Sequence, residues 1–221
     1  HLYSGQNQVY PGNNFEYHLK PFKKAINNNL KVIMPYYGIP VDQTSENVAM
    51  AYNKDILTHL LRDKLGYEGV ICTDWGIITG RHWGVGDLTL SERYKKSIDA
   101  GVDQYGGESS PEFLIDLVKK NEINEDRINY SVKRILINKF ALGLFDNPFV
   151  DESLVIKRVG TETFIKKGLI AQKKSIVLLK NKIDNNKEVL PLKKNIKIFV
   201  DGFNKNEIKK YCEITDDPKE A

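Results

Sequence analysis

The sequence has little of what marks several common classes of protein. Its two cysteines, Cys72 and Cys212, lie far apart and provide neither a disulfide framework nor a metal cluster. No apolar run is long enough to span a membrane. The 33 basic and 29 acidic residues leave a net charge of only +4, and the lysines are scattered, so we expect no nucleic-acid partner. No Gly-x-Gly-x-x-Gly segment follows a predicted strand, so a dinucleotide cofactor has no support.

The composition is otherwise that of an ordinary globular protein. The chain has 221 residues, of which 41% are hydrophobic and 28% charged, enough for one large domain. It begins at His1 without a methionine or a signal-peptide pattern, and residues 213–221 end in no recognisable element. We therefore expect a fragment, and the sequence leaves its compartment open.

Short apolar runs and helical patterns alternate along the first part of the chain. Leu30–Met34 and Val70–Cys72 are predicted to be buried strands, and Gly101–Gly107 a third short strand with its loop. Amphipathic helices are predicted between them, which indicates an α/β protein with a parallel sheet. An open doubly wound sheet and part of a (β/α)8 barrel both fit this alternation.

Local signals predict where several elements begin. Pro21 is expected in the first turn of the first helix, where its missing N–H has no consequence. Ser91 and Asn124 are expected to cap the helices that follow them. A further helix is predicted from about Glu162 to Lys174, and a strand from Ile196 to Val200.

The predicted strand Val70–Cys72 is followed closely by a carboxylate, Asp74, and an aromatic residue, Trp75. In parallel α/β proteins the loops at the carboxyl ends of strands carry the chemistry. A carboxylate there can act as nucleophile or electrostatic stabiliser in glycoside hydrolysis, where positive charge develops at the anomeric carbon. The indole of Trp75 offers a flat face for a pyranose ring. From these residues alone, a structural role for Asp74 as a cap of the loop stays open.

The neighbouring loops hold further candidates. Tyr36 and Tyr37 follow the preceding strand. If the protein is part of a barrel, they either point into the same barrel mouth as Asp74 or pack at its rim. Arg81 either binds sugar hydroxyls, pairs with Asp74 or is a solvated cation. Glu108 is a conceivable second carboxylate, although a glutamate near the start of a helix is commonplace. The acidic residues with weaker support are Glu46 and Asp103.

A long motif surrounds these residues. Leu60–Trp75 contains a leucine pair, an arginine, a Leu-Gly-Tyr-Glu-Gly step, an apolar strand and then Thr-Asp-Trp. It closely resembles the signature of glycoside hydrolase family 3, the β-glucosidase-like enzymes. Val32–Tyr37 and Ala100–Asp103 are similar to strands that flank it in that family. Lys139–Pro148 resembles the end of the family's barrel domain, and Ser175–Asn181 the start of its second domain.

The resemblance implies a fold and a division into domains. The fold is α/β: the C-terminal part of a TIM-like (β/α)8 barrel followed by the start of an α/β sandwich domain. The implied ranges are 1–145 for the barrel part, 146–174 for a linker and connecting helix, and 175–221 for the beginning of the sandwich domain.

The resemblance also implies an activity. The implied enzyme is a retaining glycoside hydrolase that releases terminal β-D-glucose by double displacement, with Asp74 as nucleophile. Trp75, Tyr37, Met34 and Arg81 are the implied substrate-binding residues. The implied partner is a carbohydrate, a β-glucoside or an oligosaccharide. The proposed chemistry requires no metal and no cofactor.

In the family, the general acid/base is usually a glutamate of the second domain, beyond the end of this sequence. We therefore expect the 221 residues alone to have little or no hydrolase activity. A β-xylosidase and a β-N-acetylglucosaminidase of the same family are the alternative enzymes. In the family, β-N-acetylglucosaminidases often have a single domain, so the apparent second domain of this chain argues against that enzyme. A non-catalytic, truncated sugar-binding fragment is the alternative from another class.

Overall fold

The computed structural model describes residues 5–182, 188–193 and 195–221. The chain divides into two compact units, His1–Phe149 (unit 1) and Val150–Ala221 (unit 2). Each unit combines helices with parallel strand pairs, which confirms the α/β class. The assignment of the units to a barrel and a sandwich domain, and the predicted limits at 145 and 174, stay predictions.

The strands of unit 1 are short and pair in parallel. They are β1 (Asn7–Gln8), β2 (Val32–Ile33), β3 (Ile39–Pro40) and β4 (Val70–Ile71). β1 pairs with β3, and β2 pairs with β4 in the register that puts Val32 opposite Val70. This pairing places the carboxyl ends of β2 and β4 side by side.

The third strand predicted within Gly101–Gly107 is wrong as a regular strand. Cys72, just past β4, forms a single parallel bridge with Gln104. The next backbone donor leaves the ladder, because the N–H of Gly106 binds the Thr73 hydroxyl at 3.0 Å instead of a carbonyl. The segment therefore flanks β4 and then turns away from it.

The helices of unit 1 follow the predicted alternation. They are α1 (Phe15–Asn27), a π-helix (Asp55–Lys64), α2 (Leu90–Ala100), α3 (Pro111–Lys119) and α4 (Glu125–Ala141). Asn124 caps α4 as predicted, since its Oδ1 accepts the N–H of Asp126 at 2.8 Å. Short 3-10 turns lie at Pro11–Asn13 and Met50–Tyr52.

Two of the predicted helix starts are wrong. α2 is capped by Thr89, whose side chain and that of Glu92 form a reciprocal capping box. Ser91 therefore lies inside the helix instead of capping it. Pro21 lies inside α1, which begins six positions earlier at Phe15. α1 starts before Pro21 because its apolar side, which includes the buried Leu19, packs on the core.

The core of unit 1 surrounds β4. Val70 and Ile71 are both buried, as predicted, because β4 has neighbours on both sides. The strand predicted at Leu30–Met34 is present as β2, but its predicted burial is wrong, since Val32 and Met34 are about half exposed. In the described residues β2 pairs on one side only, which leaves it at an edge. The largest side chains with almost no exposure include Tyr52, Leu57, Ile71, Ile77 and Ile98.

Unit 2 contains a parallel strand pair and helices. These are α5 (Val155–Arg158), α6 (Glu162–Ser175), β5 (Lys197–Phe199), α7 (Lys205–Ile208) and β6 (Glu213–Thr215). The predicted helix from Glu162 and the predicted strand around Ile198 are confirmed. In the part of the chain that the structure describes, the helices are too short or too polar to cross a membrane.

Candidate active site at the carboxyl end of β4

Asp74 is the first residue after the backbone hydrogen bonds that extend β4. The N–H of Cys72 donates to the carbonyl of Ile33 at 3.0 Å. On the other side, the N–H of Thr73 donates to the carbonyl of Gln104 at 2.9 Å. Asp74 then leaves the ladder with its side chain partly exposed, at the edge where the carboxyl ends of β2 and β4 meet.

The main chain at Trp75 is held by three neighbours. Its N–H donates to Oδ1 of Asp74 at 2.7 Å. Its carbonyl accepts the hydroxyl of Tyr37 at 2.8 Å and Nη1 of Arg81 at 3.2 Å. These bonds join the loop after β4 to the segment after β2, so the four residues form one cluster.

Tyr37 is buried beside Asp74. Burial raises the pKa of Tyr37, hydrogen bonding to the Asp74 carboxylate raises it further, and the positive charge of Arg81 acts in the opposite direction. The hydroxyl therefore keeps its proton at neutral pH and stays a donor. The structure therefore places Tyr37 next to the candidate nucleophile.

Arg81 packs against Tyr37 rather than against Asp74. Its guanidinium carbon lies 4.8 Å from the centroid of the Tyr37 ring, which is a cation–π distance. Its Nη1 also lies 3.5 Å from the Tyr37 hydroxyl. Within the described ranges, no ion pair joins Arg81 to Asp74. Arg81 thus adds a positive charge to the cluster through the tyrosine and the Trp75 carbonyl.

Trp75 and Met34 are the exposed members of the predicted set. The side chain of Trp75 is 65% exposed, although its main chain is fixed. Met34 directly follows β2 and is 51% exposed. The structure therefore brings Asp74, Tyr37, Arg81 and Trp75 together and leaves Met34 half exposed at the same end of the strands.

The loop after Trp75 is anchored from three directions. Oε1 of Glu108 accepts the N–H of Ile78 at 3.0 Å and that of Thr79 at 3.3 Å. The hydroxyl of Tyr52 donates to the carbonyl of Ile77 at 2.6 Å. Nη1 of Arg93 donates to the carbonyl of Ile78 at 3.1 Å. Glu108 is thus engaged in holding this loop.

The other acidic candidates are engaged elsewhere. The side chain of Asp103 has no solvent exposure and forms ion pairs with Arg62 at 2.6 Å and with Arg134 at 3.0 Å. Its Oδ2 also accepts the N–H of Ile71 at 3.0 Å, so it braces β4 from the side of the helices. Glu46 pairs with Lys96 at 2.6 Å.

Two features of the site escape prediction from the sequence. One is the anchoring role of Glu108, because nothing in the sequence links it to residues thirty positions away. The other is the pair Gly106–Gly107, on which the indole of Trp75 rests. Two adjacent glycines after a strand are the available signal, since they favour close approach of the backbone to another group.

Groups of three or more His, Cys, Asp or Glu side chains that could hold a metal ion do not occur among the residues that the structure describes. The two cysteines are both unpaired thiols, and burial raises the pKa of Cys72. The chemistry on offer in the cluster is therefore that of a carboxylate, a neutral phenol, a guanidinium and an indole.

A protein-family model described as the glycosyl hydrolase family 3 N terminal domain matches residues 5–137. The match spans the cluster at the end of β4 and most of unit 1. It is consistent with the resemblance carried by Leu60–Trp75.

Individual relatives point the same way. A probable beta-glucosidase C of Aspergillus flavus is 46% identical over 235 residues, which cover 100% of this chain and 36% of that protein. A periplasmic beta-glucosidase/beta-xylosidase of Dickeya chrysanthemi is 33% identical over 234 residues, 93% of this chain and 34% of that protein. The chain thus spans about a third of the length of the curated relatives it matches.

Among solved structures, the beta-glucosidase from Listeria innocua in complex with gluconolactone matches with a TM-score of 0.69. It is 26% identical, and the match covers 87% of this chain and 26% of that one.

Proposed function

The chain belongs to glycosyl hydrolase family 3, and on that premise we propose that it carries the nucleophile of a retaining β-glucosidase, Asp74. The observation that carries the proposal is the cluster at the end of β4. It joins a partly exposed carboxylate to a buried phenol and to an exposed indole. The names of the relatives, β-glucosidases from fungi and bacteria, support a glucoside as substrate.

In the first step, an oxygen of Asp74 attacks the anomeric carbon as the bond to the leaving-group oxygen breaks. A general acid protonates that oxygen, which leaves as an alcohol. In the second step, the same group, now a base, takes a proton from water, whose oxygen displaces Asp74 and releases β-D-glucose. The neutral hydroxyl of Tyr37 beside Asp74 orients the carboxylate without adding a negative charge.

The mechanism needs a second carboxyl group about 5–5.5 Å from the first. Glu108 holds a loop, Glu46 pairs with Lys96, and Asp103 is enclosed by arginines. We infer that the acid/base comes from outside these 221 residues and that the chain alone turns over little substrate. The relatives are about three times longer, which is consistent with this inference.

The same family membership supports the finer fold assignment. We propose that residues 1–145 are the C-terminal part of a TIM-like barrel, 146–174 a linker and connecting helix, and 175–221 the start of an α/β sandwich domain. Trp75, Tyr37, Met34 and Arg81 then line the sugar-binding site. A β-xylosidase is the second candidate function, because the Dickeya relative carries both names.

Azide rescue tests the role of Asp74. The complete natural polypeptide that contains this chain is assayed with an aryl β-glucoside as wild type and as Asp74→Ala. Loss of the nucleophile should lower kcat by about 10⁴-fold. Azide should restore turnover, because a small anion can attack from the vacated face, and the product should be the α-glucosyl azide.

Asp116→Ala is the matched control, because Asp116 is an exposed aspartate on α3. It should retain wild-type kinetics. Wild-type rates in Asp74→Ala, or a β-configured azide product, would contradict the assignment. The same assay on the 221-residue chain tests the inference about the acid/base, since turnover at the rate of the complete polypeptide would refute it.

A further inference from the structure

The indole of Trp75 lies flat on two glycines. A Cβ at Gly107 would lie at or within 2.5 Å of three atoms of the five-membered ring, Cδ1, Cγ and Nε1. A Cβ at Gly106 would lie 3.1 Å from two atoms of the six-membered ring, Cε3 and Cζ3. The ring plane therefore spans the Gly106–Gly107 backbone, and any side chain at Gly107 would overlap it.

The backbone under the ring is fixed. The N–H of Gly106 donates to the hydroxyl of Thr73 at 3.0 Å, and a Cβ at Gly106 would lie 2.5 Å from the Thr73 carbonyl oxygen. The N–H of Thr73 donates in turn to the carbonyl of Gln104 at 2.9 Å. The glycine segment is thus tied to the end of β4 and has little freedom to move away from an added atom.

The ring, in contrast, is free to move on its other side. Trp75 is 65% exposed, although its N–H and carbonyl are both hydrogen-bonded within the cluster. Contact with Gly107 therefore limits the angle that the indole can take relative to Asp74. An aromatic face that is backed by protein and open to solvent suits the apolar face of a sugar ring.

We propose that Gly106 and Gly107 are positioning residues that set the orientation of Trp75 for carbohydrate binding. The inference rests on the proposed function, because it assumes that a sugar contacts the indole. It adds that the orientation of the binding face depends on two glycines 31 and 32 positions away in the sequence. A methyl group at Gly107 should lift the indole toward the site and away from the sugar-binding angle.

Gly107→Ala is the informative variant, because the nearest atoms it would meet all belong to the Trp75 side chain. In the complete natural polypeptide we expect kcat/KM for an aryl β-glucoside to fall at least about tenfold, as misplaced contacts near a reacting centre do. Gly143→Ala is the matched control. Gly143 has φ +69°, against +70° at Gly107, but a Cβ there meets nothing within 4 Å. It should change kcat/KM by less than about twofold.

A double mutant separates the effect on Trp75 from a general effect on folding. Trp75→Ala removes the ring, so adding Gly107→Ala to it should change kcat/KM by less than about twofold. An equal tenfold loss in both backgrounds would overturn the proposal. If Gly107→Ala alone fails to fold, the double mutant should recover the fold, and failure to recover would also overturn it.

Fluorescence of the 221-residue chain tests the packing without an activity assay. The sequence has two tryptophans, so Trp83→Phe leaves Trp75 as the only one. In that background, Gly107→Ala should raise acrylamide quenching of Trp75 by about half or more, while Gly143→Ala should leave it unchanged. Equal quenching in Trp83→Phe alone and in its combinations with Gly107→Ala and Gly143→Ala would refute the positioning role. Absent turnover in the wild-type polypeptide would instead refute the proposed function, and the quenching result would still decide the inference.

Discussion

Unit 1 and unit 2 have similar local patterns and very different interiors. In the described residues both contain helices and parallel strand pairs, two pairs in unit 1 and one in unit 2. Unit 1 encloses a continuous cluster of buried side chains around β4. In the described part of unit 2, the buried residues are Val200 and Thr215, each still 8% exposed, while Ile156 and Leu179 are about nine-tenths exposed.

The comparison shows that local pattern specifies elements, whereas burial requires enough elements to close a core. α6 forms where its sequence predicts, yet its apolar side chains Phe164, Ile165 and Leu169 stay exposed. In unit 1, β4 is covered by helices and by strand neighbours. We therefore expect the stability of this chain to reside in unit 1, where the candidate site lies.

The largest effect is expected at Asp103. Asp103→Ala would leave Arg62 and Arg134 without their buried carboxylate partner, and loss of one member of a buried ion pair costs about 3–5 kcal/mol. The free energy of unfolding is measured by urea titration with tryptophan fluorescence, which reports on unit 1 because Trp75 and Trp83 both lie there. A loss below about 1 kcal/mol would contradict the bracing role of Asp103.

The control for that variant is Asp216→Ala in unit 2. Asp216 also pairs with a cation, Lys205, but the aspartate side chain is almost fully exposed. Surface ion pairs contribute little to stability. The unfolding midpoint of unit 1 should not change, and a shift as large as that of Asp103→Ala would remove the contrast between the units.

A matched pair of leucines tests the same contrast in the core. Leu57 is buried in unit 1, and Leu179 is exposed in unit 2. Leu57→Ala should lower the free energy of unfolding by about 2–5 kcal/mol, and Leu179→Ala by less than about 0.5 kcal/mol. Both are read by circular dichroism during urea titration, and equal losses would show that unit 2 has a core of its own.

A smaller effect is expected at alkaline pH. Burial raises the pKa of Tyr67 from its ordinary value of 10.0 to about 12. A raised pKa in the folded state stabilises the fold fully below pH 10, and this contribution is lost as the pH rises toward 12. The unfolding free energy of unit 1 should therefore fall between those values, and less steeply in Tyr67→Phe.

Tyr211→Phe is the control for the pH series, because it removes an exposed hydroxyl from unit 2. It should leave the alkaline dependence of unit 1 as in the wild type. If Tyr67→Phe had the same slope as the wild type, the raised pKa of Tyr67 would not contribute to stability.

The same contrast limits what the sequence predicts. Several signals read within one segment are confirmed: the apolar run at β4, Asn124 as a cap and the helix from Glu162. Two others, Pro21 as a first-turn residue and Ser91 as a cap, are wrong. The cap of α2 can also be recognised in the sequence, because Thr89 and Glu92 have the capping-box spacing. Helix caps of this kind depend on hydrogen bonds between residues close in sequence.

Features made by contacts between distant segments are not predictable in this way. Glu108 reads as a candidate carboxylate, and only the fold shows it bound to the N–H groups of Ile78 and Thr79. The exposure of Val32 follows from the position of β2 at an edge, which no local pattern reveals. The resemblance of Leu60–Trp75 to a known family predicts more about the site than hydrophobic periodicity does, because periodicity assigns no role to a particular side chain.

The most direct test of the central claim is to trap the glycosyl-enzyme. The complete polypeptide is incubated with a 2-deoxy-2-fluoro-β-glucoside that has an activated leaving group, digested and mapped by mass spectrometry. The fluorine slows both steps, and the good leaving group lets the first proceed, so the covalent intermediate accumulates. We predict a single fluoroglucosyl group on Asp74. A label on Glu46 or Glu108, or no label on an enzyme that turns over glucosides, would contradict Asp74 as the nucleophile.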